Sequence, residues 1–266
     1  MVSNNATSNI ICQVVFGQRF EFTDERMQRL TGLMHRLNEL IGPGGMNIML
    51  PKIVSKAVRE FHKVADELVQ FIDVRIEEHR KKFDPETCND MIDMYLNEIR
   101  LHHAAASEVP NSYLNPENMH GNILLLFLGG TDTTATTLHW GVQYLVKYPE
   151  VQTRIQQELD ELTGRNRLPK LADKTSLPYT QAFLSELMRI VSIFPLGGSH
   201  LASETTSFNG YTIPKNALIF SNLYGMMHDP DVWGDPEVFR PERFLDENGQ
   251  IRTREEVIAF SLGKLM

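Results

Sequence analysis

The sequence has 266 residues and sets 26 Lys and Arg against 34 Asp and Glu, a formal charge of −8. That length suits one large domain or two small ones, and the acidic balance argues against a module that grips nucleic-acid phosphates. Hydrophobic residues at 42% and charged residues at 23% exclude an intrinsically disordered chain, and two distant cysteines, Cys12 and Cys88, exclude a disulfide framework or a Cys-rich metal site.

The N-terminal stretch lacks the basic and apolar regions of a secretory signal, so Asn5-Ala6-Thr7 is read as an incidental match to a glycosylation acceptor. From Asp24 to Leu40, the residues Met27, Leu30, Met34, Leu37 and Leu40 recur at spacings of three and four, which predicts a helix with one apolar face. Gly42-Pro43-Gly44-Gly45 predicts the loop that ends it. A second helix is predicted from about Val54 to Arg80, with Phe61, Val64, Leu68, Phe71, Ile72 and Ile76 on one side and a basic tail suited to the negative end of the helix dipole. Pro85-Glu86 predicts the start of a third helix through His102, followed by an exposed connection.

Asn115-Pro116-Glu117 predicts a strong helix start, and the helix can run to Tyr148, roughly 50 Å at 1.5 Å per residue. Its apolar run, Ile123 to Leu128, is only six residues, short of the ~20 that span a bilayer. Pro149-Glu150 restarts a helix that ends at Gly164, and Pro178 opens another, with Phe183, Leu184, Leu187, Met188, Val191 and Phe194 as its stripe and Pro195 as its stop. Short β-like pieces follow, Tyr211 to Ile213 and Ala217 to Phe220, separated by Asn209-Gly210 and Pro214-Lys215-Asn216 turns, and then irregular Pro-rich chain. The fold class is mainly α with a small β-sheet region.

Several segments break the local rules. Gly129-Gly130, then Thr131, Asp132, Thr133 and Thr134, sit mid-helix although each Gly costs roughly 1 kcal/mol against Ala there. Residues without side chains admit something flat against the backbone, Thr hydroxyls can bond the preceding turn and distort it, and an acid beside an alcohol can deliver protons. Close helix packing with a hydroxyl-rich face is the alternative. Glu186 and Arg189 lie three apart on an otherwise apolar face; Glu77 with Arg80 and Glu237 with Arg240 share that spacing, so context must distinguish them. His200 follows Gly197-Gly198-Ser199 in a turn, and Trp233, Phe239 and Phe244 alternate with prolines. Phosphate chemistry at the Gly pair is disfavoured, since neither a Lys-Ser/Thr nor a preceding strand accompanies it.

Taken together and in this order, these pieces resemble the cytochrome P-450 superfamily of haem-thiolate monooxygenases. The oxygen-binding groove of that family is similar to Gly129-Gly130-Thr131-Asp132-Thr133-Thr134, its Glu-x-x-Arg helix to Glu186-Leu187-Met188-Arg189, its next motif to Pro241-Glu242-Arg243-Phe244, and the start of its haem loop to Phe260-Ser261-Leu262-Gly263. The run from Ser8 to Phe20, and Pro195-Leu196-Gly197 with His200, resemble the microsomal animal branch.

The resemblance implies a single incomplete domain over residues 1–266 with no internal linker. It implies haem b (iron protoporphyrin), and insertion of one oxygen atom of O2 into a lipophilic small molecule with electrons from an NADPH-dependent reductase at the cytoplasmic face of the endoplasmic reticulum. By the same resemblance Asp132 and Thr133 are the proton-delivering pair, and Gly129 and Gly130 let haem and oxygen approach. His200 bonds a haem propionate, and Glu186, Arg189 and Arg243 form a buried structural triad. Phe194, Leu196 and Gly198 border the substrate pocket, and the helices near 24–40 and 54–80 roof it.

It covers about half of a family member, and implies that the membrane anchor and an early part of the sheet lie outside these residues. The family loop pattern puts a basic residue at 265, where this chain has Leu265, and the iron-ligating cysteine at 267, just after Met266. The alternative reading is therefore a non-catalytic chain that does not hold haem and acts at most as a ligand- or partner-binding decoy.

Overall fold

The computed structural model describes residues 2–41, 55–104, 115–252, 254 and 256–260. Helices dominate, with two small antiparallel sheets, as the sequence predicts. The described residues fall into two compact units that divide after Thr136.

The first unit begins with helix α1 (Val2–Phe16), which the apolar pattern does not announce. Its polarity is inverted: Thr7, Ser8 and Asn9 are buried, whereas Ile10 and Val14 are more than half exposed. Asn9 explains the turn after it, because its side-chain amide both donates to the Phe20 carbonyl, at 2.6 Å, and accepts from the Phe20 N–H, at 2.8 Å. Helix α2 (Glu25–Ile41) buries all five residues of the predicted stripe. Helix α3 (Ser55–Lys82) buries Val64, Leu68, Ile72 and Ile76, and Arg36 joins it to α2 by hydrogen bonds of 3.0 and 2.6 Å to Glu60. The Gly-Pro-Gly-Gly loop and most of the connection after the next helix lie outside the described residues.

Helix α4 (Met91–Ala104) starts later than Pro85-Glu86 predicts. Asp84 accepts from the Glu86 N–H at 3.0 Å and from the Thr87 hydroxyl, which closes a turn at Pro85, and Asp90 then caps the helix by accepting from the Asp93 N–H at 3.0 Å. A capping carboxylate nearer the apolar run therefore wins over the proline. Asn115 caps helix α5 (Pro116–Gly130) as predicted, accepting from the Asn118 N–H at 2.7 Å.

His79 staples this unit. Its Nδ1 meets the Arg75 carbonyl at 2.7 Å and its Nε2 meets Asp90 Oδ2 at 2.8 Å, so α3 is tied to the cap of α4. Gly17 makes room for the pair: its φ is +65°, and a Cβ there would stand 2.7 Å from Asp90 Oδ2. Burial pulls the imidazole pKa down, but the bonds to Arg75 and Asp90 outweigh it and hold it above its ordinary value near 6.5. A folded-state pKa above the unfolded one adds stability that is complete below about 6.5 and lost as pH rises through the folded value. Urea stability is thus expected to fall as pH is raised above about 6.5, and His79→Gln to flatten that slope; an unchanged slope in the variant would assign it elsewhere.

Helix α6 (Asp132–Lys147) leads into the second unit. Helix α7 (Pro149–Thr163) ends at Gly164 with φ +60°, as its glycine predicts. A 3-10 turn (Leu171–Ser176) precedes helix α8 (Pro178–Val191), whose first turn is capped from α7 by Glu158, accepting from the N–H groups of Tyr179 and Thr180 at 2.7 and 2.8 Å. The helix stops four residues before Pro195, because Ser192 turns left-handed at φ +41° and its hydroxyl bonds the Arg189 carbonyl at 2.8 Å. Val151, Ile155, Tyr179, Phe183, Leu187 and Phe239 form the core between these helices.

Strands β1 (His200–Leu201) and β4 (Leu218–Ile219) pair antiparallel, with His200 opposite Ile219. Strands β2 (Thr206–Phe208) and β3 (Tyr211–Ile213) make a hairpin, and the Asn209-Gly210 turn takes positive φ at both residues, 49° and 82°, the geometry that matches strand twist. The Pro-rich end contains short helices, α9 (Leu223–Met227) and α10 (Pro230–Trp233), and a 3-10 turn (Pro241–Phe244). Among the described residues, no helix is long and apolar enough to cross a membrane.

Candidate functional site

In the first unit the long predicted helix breaks where its composition is poorest. Thr131 separates α5 from α6, with its N–H on the Phe127 carbonyl at 3.2 Å and its own carbonyl accepting from Ala135 at 3.0 Å. The Thr133 hydroxyl donates to the Gly129 carbonyl, the back-bonding that bends helices. The two glycines do different things. A Cβ on Gly129 would meet nothing within 4 Å, whereas one on Gly130 would strike Ile11 Cδ1 at 2.6 Å, so Gly130 lets α1 approach and Gly129 leaves open space.

Polar groups of α1 and α2, invisible to motif reading, surround this break. The Thr7 hydroxyl donates to the Thr131 carbonyl at 3.1 Å, and the Ser8 hydroxyl lies 3.4 Å from Thr131 Oγ1. The Asp132 carboxylate accepts from Asn4 Nδ2 at 2.8 Å and from Asn38 Nδ2. Asp132 and Thr133 are half-buried neighbours in the first turn of α6, where the helix dipole favours a negative charge. The one signal for Asn4 and Asn38 in the sequence is their polarity in amphipathic or polar helices, which surface residues share.

In the second unit Glu186, Arg189 and Arg243 come together. Glu186 and Arg189 are fully buried. Arg189 donates bidentately to Glu186, Nε to Oε2 at 2.7 Å and an Nη to Oε1 at 2.9 Å, and the same Oε1 accepts from Arg243 Nε at 3.0 Å and from the Arg240 N–H at 2.9 Å. Both guanidinium groups then spend their other N–H groups mostly on carbonyls, Arg189 on Met227 and Pro236, Arg243 on Trp233, Asp235 and Val238, and Arg243 also donates to the Asp235 carboxylate at 3.1 Å. The Trp233 ring lies beneath Arg189 and Arg254, 5.1 and 4.6 Å from its centroid, and its indole N–H donates to Met226 at 3.0 Å. The other pairs of that spacing differ: Glu77 and Arg80 bond on the surface, and Arg240 pairs with Asp235.

Phe194, Leu196 and Gly198 are partly buried in the turn after α8. That turn is pinned where the Gly197 N–H meets the Phe194 carbonyl at 3.1 Å and the Tyr224 N–H meets that of Pro195 at 2.9 Å. His200 is exposed on β1. Of the haem-loop resemblance, Phe260 is exposed and residues 261–266 lie outside the described residues. Cys12 is fully buried, and burial pushes its thiol up to about 12, far from the thiolate that a metal ligand requires. Cys88 points its sulfur at the Pro85 and Asp93 carbonyls, 3.8 Å from each.

Among known families, the model described as Cytochrome P450 matches residues 2–265. Cytochrome P450 2J5 of Mus musculus is 38% identical over 269 residues, 98% of this chain and 52% of its own length. Cytochrome P450 2B9 of Mus musculus is 36% identical over 263 residues, 97% of this chain and 53% of its own length. Cytochrome P450 2U1 of Homo sapiens is 36% identical over 268 residues, 99% and 49% of the two chains. The chain spans about half the length of these curated relatives.

Proposed function

This chain belongs to the cytochrome P450 family, and from that premise we propose that it is part of a haem-dependent monooxygenase that inserts one oxygen atom of O2 into a lipophilic small molecule. The reading takes its electrons from an NADPH-dependent reductase and its place from the resemblance to the microsomal branch, at the cytoplasmic face of the endoplasmic reticulum. The two units are read as parts of one P450 domain, which the unbroken match over residues 2–265 supports.

The observation that carries the reading is the opened turn from Gly129 to Thr133. Open space stands where a Gly129 side chain would be, so a flat cofactor and a small diatomic have backbone to press against. Haem, when bound, supplies the iron that activates dioxygen. The protein residues would supply protons and position: Asp132 would pass a proton from a carboxylate oxygen to Thr133 Oγ1 as the Thr133 hydroxyl passes its own onward, which leaves Thr133 unchanged and Asp132 ionised until solvent water returns a proton to it. The Thr133 hydroxyl is held at the break by its bond to the Gly129 carbonyl. His200 is assigned to a haem propionate, Gly130 to close helix approach beside the haem, and Phe194, Leu196 and Gly198 to the rim of the substrate pocket. Glu186, Arg189 and Arg243 hold the second unit together rather than react.

A thiolate for the haem iron would not come from Cys12, whose thiol burial keeps protonated, and the second reading is that the 266 residues by themselves do not retain haem. The test is a haem titration followed by carbon monoxide difference spectroscopy. No cysteinate-type band is expected from the 266 residues, and such a band is expected from a version whose haem loop continues to a cysteine. In that version Asp132→Asn is expected to slow turnover of a lipophilic alkoxyarene ~100-fold, the scale of one positioned proton donor. Stoichiometric cysteinate-ligated haem on the 266 residues would overturn the second reading, and no haem binding by the longer version would overturn the first.

A further inference from the structure

Three ligand-type side chains that no motif of the sequence joins meet where α3 ends and α4 begins. The donor atoms of His79, Asp90 and Asp93 all lie within 4.8 Å of one another. His79 stands in the last turn of α3, Asp90 caps α4 and Asp93 lies in its first turn. Acids at the start of a helix are ordinary, because they complement its dipole, so the two aspartates alone mark nothing. The imidazole comes from a different helix, at the carbonyl end that favours positive charge. None of the three residues has a part in the proposed function.

The imidazole is oriented as a metal ligand is. Its Nδ1 meets the Arg75 carbonyl at 2.7 Å, and a carbonyl only accepts, so Nδ1 keeps its hydrogen and Nε2 is the ring atom that faces the carboxylates. A metal-bound histidine almost always donates its other N–H in this way, which fixes its tautomer and ring plane. The carboxylates divide their oxygens in the same sense. Asp90 Oδ1 accepts from the Asp93 N–H at 3.0 Å, while its Oδ2 lies 2.8 Å from His79 Nε2. Asp93 Oδ2 accepts from the Asn89 N–H at 3.2 Å, and its Oδ1 has no hydrogen-bond partner among the described residues. The Asp90 side chain is 4% exposed, so it has given up most of its hydration.

The three side chains line a cavity of about 510 Å³, whose walls also carry Glu78, Asp84 and Lys82. Four carboxylates against one lysine make this space negative, and Asp84 is already engaged by the Glu86 N–H and the Thr87 hydroxyl. We propose that His79, Asp90 and Asp93 form a site for a divalent first-row transition metal, best Zn2+, which clamps the end of α3 to the start of α4. Bond lengths of about 2.0–2.2 Å to nitrogen and oxygen put tetrahedral ligands about 3.3 Å apart, so Nε2 and Asp90 Oδ2 separate slightly and Asp93 draws in. Any hydrogen on Nε2 leaves to solvent as the metal–nitrogen bond forms, and water from the cavity completes the coordination. The imidazole selects zinc over Ca2+ and Mg2+, which take oxygen ligands.

Two measurements test it, both on the 266 residues after removal of metal by a chelator. In the first, Co2+ is titrated in as a coloured probe. One Co2+ per chain is expected to give the visible absorption of a low-coordinate nitrogen and oxygen site, Zn2+ to displace it one for one, and a large excess of Mg2+ to leave it in place. His79→Gln and Asp93→Asn are each expected to weaken Zn2+ binding about 100-fold, the upper range already found for losing an outer-shell partner. Glu78→Gln, which borders the same cavity but pairs with Arg75, is expected to change it by no more than about twofold. Equal weakening by all three would show that diffuse charge holds the cation and would overturn the site, as would the absence of stoichiometric Co2+ binding.

The second measurement needs no variant, since each ligand also makes a bond that the fold uses. At a free Zn2+ concentration about 100 times its dissociation constant, the metal is expected to lower the unfolding constant of the first unit about 100-fold. Amide hydrogen exchange is expected to slow in the first turn of α4 and the last turn of α3, with α8 of the second unit unchanged. Slowing that is missing from α4, or equal in α4 and α8, would place the metal elsewhere and overturn the site.

Discussion

Glu186→Gln is expected to destabilise the second unit by about 3–5 kcal/mol, the usual cost of removing one partner from a buried ion pair. Glutamine keeps the shape of the side chain but leaves Arg189 and Arg243 without the carboxylate that accepts three of their N–H groups. Arg189 is fully buried, so no solvent reaches it to replace that carboxylate. The carbonyls of Met227, Pro236, Trp233 and Val238 satisfy hydrogen bonds but carry no full negative charge, and the Asp235 carboxylate, 3.1 Å from an Arg243 Nη, leaves the buried Arg189 charge uncompensated. Both tryptophans of the chain, Trp140 and Trp233, lie in this unit, so urea unfolding followed by tryptophan fluorescence reads the effect directly. Asp160→Asn removes a surface pair of the same unit, with Arg165, and is expected to cost far less. Equal effects of the two substitutions would show that the burial of Glu186 has no energetic consequence.

Phe127→Ala carries the largest expected effect in the first unit, also about 3–5 kcal/mol. Phe127 is 1% exposed, and its ring stacks on Phe16 at a centroid distance of 5.5 Å. Around it Val15, Met119 and Ile123 are almost wholly buried, so truncation leaves a cavity that rigid helices cannot close. Phe127 also supplies the carbonyl that receives the Thr131 N–H, which places the cavity one turn from the break between α5 and α6. Amide hydrogen exchange is the suitable readout, since it resolves α1 and α5 separately. Faster exchange in both helices is expected, with that of α8 unchanged. A change confined to α5 would mean that the Phe16 contact does not hold α1 in place.

The sequence by itself determined the elements with clear periodicity or punctuation. The stripes of α2 and α3 face the core as their spacings of three and four require, Asn115 caps α5, Gly164 ends α7, and Asn209-Gly210 turns a hairpin. Each depends on neighbours within a few residues, so local chemistry suffices. The family was legible for a related reason: Gly129 to Thr134, Glu186 to Arg189 and Pro241 to Phe244 are short motifs whose order survives without coordinates. Tertiary structure decided the rest. Helix α1 buries Thr7, Ser8 and Asn9 and exposes Ile10 and Val14, and only partners distant in sequence, the Thr131 and Phe20 carbonyls among them, make that inversion favourable. Glu186 and Glu77 share the same spacing to an Arg, and although Glu186 has apolar neighbours, what separates the pairs energetically is burial, which turns an ordinary surface pair into one whose charges must be satisfied completely. Asn4 and Asn38, 128 and 94 residues from Asp132 in the chain, meet its carboxylate because helix packing sets which polar groups share a space, and no periodicity within one helix encodes that.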